Sequence, residues 1–452
     1  MAKKLFGTDG VRGVANIELT AELAFKLGRS AALVLSKSSK QANILIANDS
    51  RISSQMLEAA LVAGICSVGA NAHIAGIVPT PALAYLVTLH KMDAGIMISA
   101  SHNPFYDNGI KFFDSKGYKL SDAVELEIEE LTAGDYENAI SHEKIGRKFK
   151  LNNAINDYTR YIAYKAGLPD LSGKTIALDC ANGATFEAAP RVFRQLGADV
   201  VALYTTPDGI NINDDCGSTK IDNLVKYVQN NPQIDFAFAY DGDGDRLYAV
   251  DERGNVLNGD FILSIIADYM HKNGVLNHNT LVGTSMTNLG LIKAGEEMGI
   301  KIVQTDVGDR YVLEKMLTEG YNLGGESSGH IIFLDYSTTG DGILASLILS
   351  SIIVRQSKKL SKINTIMKEF PQILENVTIT NELKQEIMQN PEILAEIEQI
   401  EAKLGKSGRI VVRPSGTEPL IRIMLEGEDL NFIKELATGL ADIIRRKKDG
   451  GA

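Results

Sequence analysis

Cysteine is scarce in this sequence. The three thiols, Cys66, Cys180 and Cys216, are odd in number and widely spaced, so they supply neither a disulfide framework nor a zinc site. Reduced thiols in a cytoplasmic protein are the expectation. Positive charge is short as well: 46 Lys and Arg face 57 Asp and Glu, for a net charge of −11. A protein of nucleic acid or of anionic membranes needs a basic face, so neither partner is expected, although a few local arginines can still hold an anionic substrate. The most apolar run, residues 342–354 (GILASLILSSIIV), is too short to span a bilayer and reads as a buried helix. Behind Lys3 and Lys4 there is no apolar core of signal-peptide length.

What is present is ordinary globular composition, 44% hydrophobic and 23% charged over 452 residues, enough for several domains. One pattern occurs three times, at residues 44–76, 175–204 and 280–305. Each copy is an apolar β-rich run, a polar turn, an amphipathic helix, a glycine and a second strand. Gly69, Gly197 and Gly299 fall where a helix end needs a left-handed residue. Such units imply parallel strands covered by helices, and hence three related α/β domains with boundaries near 150 and 255. From about residue 370 the pattern changes. A strand near 376–380, a charged helical stretch at 382–404 interrupted by Pro391, two strands at 408–413 and 420–426, and a closing amphipathic helix describe a small α+β domain. The expected division is 1–150, 151–255, 256–368 and 369–452.

Five loops carry chemistry. In residues 95–111 an apolar strand runs into Ser99-Ala100-Ser101-His102-Asn103-Pro104. Proline stops further pairing, so the hydroxyls lie at a strand end, where ligands bind in parallel sheets. Ser101 is the candidate nucleophile and His102 the adjacent base. Ser99, two residues earlier, would face the other side if the strand continued. Residues 240–246, YDGDGDR, put three carboxylates at alternate positions, with glycines that let them converge on one hard cation. Asp241, Asp243, Asp245 and Glu252 mimic a calcium loop. Arg246, however, occupies the position where that loop requires glycine, and the flanks read as strands. Residues 324–330, GGESSGH, offer Glu326, Ser328 and His330 to a sugar. Residues 413–422, RPSGTEPLIR, combine Arg413, Ser415, Gly416, Thr417 and Arg422 into a phosphate nest with forked cations; no P-loop motif occurs. Residues 6–13, FGTDGVRG, add Arg12 between glycines.

Together with CGST at 216–219, VGDRYVLEKM at 307–316 and TTGDG at 338–342, these loops resemble the α-D-phosphohexomutase superfamily across essentially the whole chain. The resemblance implies three similar α/β domains with mixed sheets and a C-terminal α+β domain around a central cleft. It makes Ser101 the phosphate carrier, and gives Mg²⁺ to Asp241, Asp243, Asp245 and the Ser101 phosphate. Arg12 and Arg246 would line the centre, and Lys111 and His330 are the proton-transfer candidates. Glu326 and Ser328 would contact the sugar, while Arg413, Ser415, Gly416, Thr417 and Arg422 would hold the non-reacting phosphate. Within the superfamily the likeness is to the branch that interconverts glucosamine 6- and 1-phosphates. A hexose 1,6-bisphosphate, of glucosamine or glucose, would be the activator, and a homodimer the assembly. Mannose or glucose phosphates stay open as substrates of the same mechanism. The sugar loop reads Glu-Ser-Ser where Glu-Gln-Ser is common in that branch, a departure that bears on sugar choice and not on chemistry.

Overall fold

The computed structural model describes residues 5–7, 9–36, 41–134, 140–415 and 419–448. The repeated pattern forms what its spacing dictates. Asn43–Asn48 pairs in parallel with Asn71–Ile77, Thr175–Asp179 with Asp199–Leu203, and Thr280–Thr284 with Lys301–Thr305. The connecting helices are Ile52–Ser67, Ala188–Gln195 and Leu289–Met298. Gly69, Gly197 and Gly299 follow them at φ of 91°, 92° and 72°, the left-handed turn that ends a helix without a Cβ clash.

Antiparallel strands complete each sheet, so all three are mixed. In the first, of six strands, Asp107–Asp114 lies between Val11–Val14 and Ala94–Ile98, antiparallel to both. In the second, Leu247–Asp251 runs back against Phe236–Tyr240. In the third, Leu323–Gly325 runs against Ile331–Phe333. Strands covered on both faces must be apolar throughout. Ala94–Ile98 and Phe236–Tyr240 are buried at every position, and each large apolar side chain so buried contributes roughly 1.5–3 kcal/mol. The apolar run at 342–354 lies in the helix Gly342–Gln356 and is buried at every position except Ile348 and Val354. Asp341 caps that helix, accepting from Leu344 N at 2.9 Å and from the Tyr158 hydroxyl at 2.7 Å. Burial raises the Asp341 carboxyl to about 6. Among the described residues, no helix is long and apolar enough to cross a membrane, and the three cysteines are free thiols.

The chain divides into two compact units, residues 1–284 with 300–366, and residues 285–299 with 367–452. The second unit holds the antiparallel sheet Gln372–Thr378, Leu420–Gly427, Gly408–Pro414. The charged stretch at 382–404 is two helices, Asn381–Met388 and Pro391–Leu404. Pro391 starts the second instead of bending one long helix, because its missing N–H costs nothing at the first position. Asn390 caps it by accepting from Glu392 N at 3.0 Å and Ile393 N at 3.4 Å. The helix of the third repeat copy belongs to this unit. Buried Glu426 receives Arg409 Nε at 2.5 Å, Asn288 Nδ2 at 3.1 Å and Leu289 N at 3.2 Å, which ties the helix start to the sheet.

Candidate active site

Ser101 stands just past the end of Ala94–Ile98 with φ of +52°, a left-handed conformation that costs a non-glycine residue about 1–3 kcal/mol and persists only where its surroundings enforce it. Three contacts do so. The Ser101 N–H donates to Ser99 Oγ at 2.9 Å, and its carbonyl accepts from Arg51 Nη2 at 3.1 Å and from Asn213 Nδ2 at 2.9 Å. Ser99 therefore does not face away from Ser101: residues two apart share a face even in a strand, and beyond the strand end at Ile98 the Ser99 hydroxyl braces the turn. Arg51 is itself buried and paired with Asp49. Gly242 lies so close that a Cβ there would sit 2.4 Å from the Ser101 carbonyl, which explains one glycine of the aspartate loop.

The turn aims the Ser101 hydroxyl at Asp241, with Oγ to Oδ2 at 2.5 Å. Asp241, Asp243 and Asp245 are buried, and one oxygen of each lies within 4.8 Å of the others. Burial and the charges of Asp245 and Asp243 push the Asp241 carboxyl well above the ordinary carboxylate range. Burial also pushes Asp243 up, but the Lys111 ammonium at 2.9 Å and the Thr80 hydroxyl at 2.6 Å, both on Oδ2, hold it low. Its Oδ1 and that of Asp245 have no hydrogen-bond partner among the described residues. Buried carboxylate oxygens without donors are costly, and three clustered carboxylates, two of which carry an unsatisfied oxygen, fit a hard divalent cation. The strands Phe236–Tyr240 and Leu247–Asp251 flank this loop, so it is no EF-hand.

The remaining candidates from the first three sheets converge here. Lys111 bridges Asp243 and Asp9, at 2.9 and 3.0 Å; burial would lower its pKa, but the two carboxylates raise it. Arg12 pairs with Asp9. Burial and the charges of Arg246 and Arg12 lower His102 to about 4, which leaves a neutral ring with Nδ1 3.4 Å from Ser101 Oγ. Arg246 and His330 face each other in an isolated antiparallel bridge, and the Arg246 N–H donates to Asp241 Oδ1 at 3.2 Å. His330 places Nδ1 3.4 Å from Asp245 and receives the Gly340 N–H on Nε2 at 2.9 Å. Burial works against protonation of this ring and Asp245 for it, the net direction being upward. The Gly340 N–H opposes that trend, since it requires a lone pair on Nε2, and we favour the neutral ring with its hydrogen on Nδ1. Glu326 accepts from Gly308 N at 3.1 Å, and burial raises its pKa. The Ser328 hydroxyl is buried without a partner among the described residues, which suits a group kept for a ligand.

In the second unit, Arg413 and Arg422 are cross-strand partners. That register sets two forked cations side by side on neighbouring strands, an arrangement that suits an anion. Ser415 is buried and its carbonyl accepts from Lys384 Nζ at 2.7 Å. Gly416 and Thr417 lie outside the described residues. Arg51, Asn213, Thr80 and Lys384 escaped the sequence reading. The first follows Asp49 at the polar turn of the first repeat copy, a usable signal; the others announce themselves only through tertiary contacts.

Models of the phosphoglucomutase/phosphomannomutase α/β/α domains I, II and III and C-terminal domain match residues 3–139, 156–254, 258–370 and 374–443. The phosphoglucosamine mutase of Clostridium acetobutylicum is 52% identical over 446 residues, covering 98% of this chain and 99% of that protein. The chain belongs to the phosphoglucosamine mutase family. That of Clostridioides difficile is 51% identical over 452 residues, with 98% and 99% covered. Among solved structures, a phosphoglucomutase/phosphomannomutase family protein of Burkholderia thailandensis shares the fold at a TM-score of 0.81 and 21% identity, covering 99% of this chain and 98% of that one. The N-acetylphosphoglucosamine mutase of Aspergillus fumigatus, solved with GlcNAc-6P and magnesium, matches at 0.71 and 16% identity, over 99% of this chain and 96% of that one. Members of this family are mutases, and this chain is an isomerase of that kind, with the α/β and α+β architecture that the motifs implied.

Proposed function

We propose that the chain interconverts glucosamine 6-phosphate and glucosamine 1-phosphate through phosphorylated Ser101, in the supply of UDP-N-acetylglucosamine. The supporting observation is the Ser101 hydroxyl 2.5 Å from Asp241 within the three-carboxylate cluster. Bound to Asp241, Asp243, Asp245 and the Ser101 phosphate, Mg²⁺ would neutralise the phosphoryl oxygens and the charge developing on the leaving oxygen. The sugar O1 attacks the phosphorus on Ser101; the O1–P bond forms as Oγ–P breaks, and the proton leaving O1 ends on Oγ. Glucosamine 1,6-bisphosphate turns over within the site. Ser101 Oγ then takes the 6-phosphate, the P–O6 bond breaks, and the proton goes to O6. His330 and His102 handle the proton, while Lys111, Arg12 and Arg246 fix positive charge around it. Glu326 and Ser328 hold the sugar. Arg413, Ser415 and Arg422, with Gly416 and Thr417, grip the phosphate that is not reacting.

With this reading go the four-domain division at 150, 255 and 368 expected from the repeats, the cytoplasmic location expected from the thiols, and the hexose 1,6-bisphosphate activator and homodimer that the superfamily resemblance implies. Coupled assays on three 6-phosphates test it. kcat/KM for glucosamine 6-phosphate should exceed that for glucose or mannose 6-phosphate by ~10-fold or more. A preference for either other sugar would give the chain to phosphoglucomutase or phosphomannomutase chemistry. No turnover of any would end the reading.

Arg422→Ala separates grip from chemistry. A charge-assisted contact is worth about 1.5–3 kcal/mol, roughly tenfold or more in affinity. KM should rise and kcat/KM fall by at least that factor, with the Mg²⁺ titration and the phosphate on Ser101 unchanged. Steady-state kinetics beside intact mass measure both; an unchanged KM removes this loop from substrate binding.

A further inference from the structure

Lys119 has no part in the chemistry above, yet it is held between two carboxylates, Asp9 Oδ1 and Asp309 Oδ2, each at 2.6 Å. Both lead back to the reacting centre. Asp9 contacts Lys111 at 3.0 Å, and Lys111 contacts Asp243 at 2.9 Å. Asp309 lies 3.7 Å from His330 Nε2, and His330 Nδ1 lies 3.4 Å from Asp245. Since Asp243 and Asp245 belong to one carboxylate cluster, the contacts close into a ring. Round it the groups read Asp243, Lys111, Asp9, Lys119, Asp309, His330, Asp245. It takes Asp9, Lys111 and Lys119 from the segment of the first sheet, Asp243 and Asp245 from that of the second, and Asp309 and His330 from that of the third.

We propose that Lys119 is a positioning residue for phosphoryl transfer, closing this ring so that Lys111 and His330 stay fixed beside the carboxylate cluster and Ser101. The proposal rests on the function proposed above. The geometry carries it. The Lys119 side chain is 19% exposed and reaches both partners from the return of the turn after Asp107–Asp114, where Lys119 bridges Phe113, so its charge is too enclosed to be a solvated surface group. From Asp243 through Lys111, Asp9 and Lys119 to Asp309 the charges alternate in sign, so each of these groups depends on its neighbours. Without the ammonium, Asp9 and Asp309 face each other as like charges. Asp309 is then driven from its place beside His330, and Asp9 from its place beside Lys111. Displacing catalytic groups by about 1 Å costs ~100-fold in rate, whereas a residue that touches no substrate leaves KM alone.

The test uses the full chain with Mg²⁺ and glucosamine 6-phosphate. Lys119→Met should lower kcat by ~10- to 100-fold with KM within about twofold, and Lys119→Arg, which restores the charge, should recover most of the loss. Asp309→Asn should repeat the kcat effect, and the double variant Lys119→Met/Asp309→Asn should lose much less than the product of the single losses. If Lys119→Met unfolds, Asp309→Asn and Lys119→Arg decide alone. A kcat kept by Lys119→Met or by Asp309→Asn, a loss seen in KM instead, or multiplying effects would overturn the proposal. A wild-type chain inactive on the sugar would instead sink the function on which it rests.

Discussion

Ser101→Ala is expected to abolish turnover, by ~10⁴-fold or more, leaving only what positioning supplies. The hydroxyl is both the atom that accepts the phosphoryl group and the atom that releases it. Ser99 is the nearest alternative, but its Oγ already accepts the Ser101 N–H at 2.9 Å, and it is buried. The left-handed turn at residue 101 is held by Arg51, Asn213 and Ser99 through backbone atoms, which alanine retains. The circular dichroism spectrum should therefore be unchanged, and intact mass should show no phosphate. Near-normal activity in a folded alanine variant would sink the covalent route.

Asp243→Ala should raise the Mg²⁺ concentration for half-maximal activity by at least ~10- to 100-fold, the loss typical even of residues that only orient a metal ligand. It also carries a stability cost that the other two aspartates do not share. Asp243 Oδ2 is the partner of Lys111, whose side chain is 1% exposed. With Asp9 still in contact, the weakened ammonium pairing should cost roughly 1–3 kcal/mol, visible as a lower Tm. Activity titrated against Mg²⁺, beside thermal unfolding, checks both; an unchanged Mg²⁺ curve would make the cluster structural. Asp245→Ala, which makes no such lysine contact in the cluster, provides the comparison.

Much of this architecture is legible in the sequence because its signals are local. Strand–turn–helix–glycine–strand is a short-range pattern, and the parallel pairs formed where it occurs. The strand Ala94–Ile98 ends where Pro104 and its serines predict a loop. Asp241, Asp243 and Asp245 lie within five residues, so their convergence needs only glycine between them. What the sequence hides is long-range pairing. Thr80 meets Asp243 across 163 positions and Lys119 meets Asp309 across 190, and no periodicity encodes either. The Ser99 expectation failed for a local reason: residues two apart along a strand share a face, so a continuing strand would not have turned Ser99 away from Ser101. Pro391 illustrates the converse, since a residue that breaks a helix from within begins one at its first position.

The grouping of residues 285–299 with 367–452 has a consequence for synthesis. The helix Leu289–Met298 leaves the ribosome before any of its later partners exist. Asn288 awaits the carbonyl of Phe370 and the carboxylate of Glu426. Gly290, where a Cβ would sit 2.0 Å from the Lys368 carbonyl, awaits the chain that will lie against it. At about 5–20 residues per second the delay is on the order of several seconds. During that interval Leu291 and Ala294, buried in the finished protein, have no native cover within their unit. The second unit is therefore the last to be completed in a growing chain, and a fragment beginning at residue 367 would lack one of its own helices.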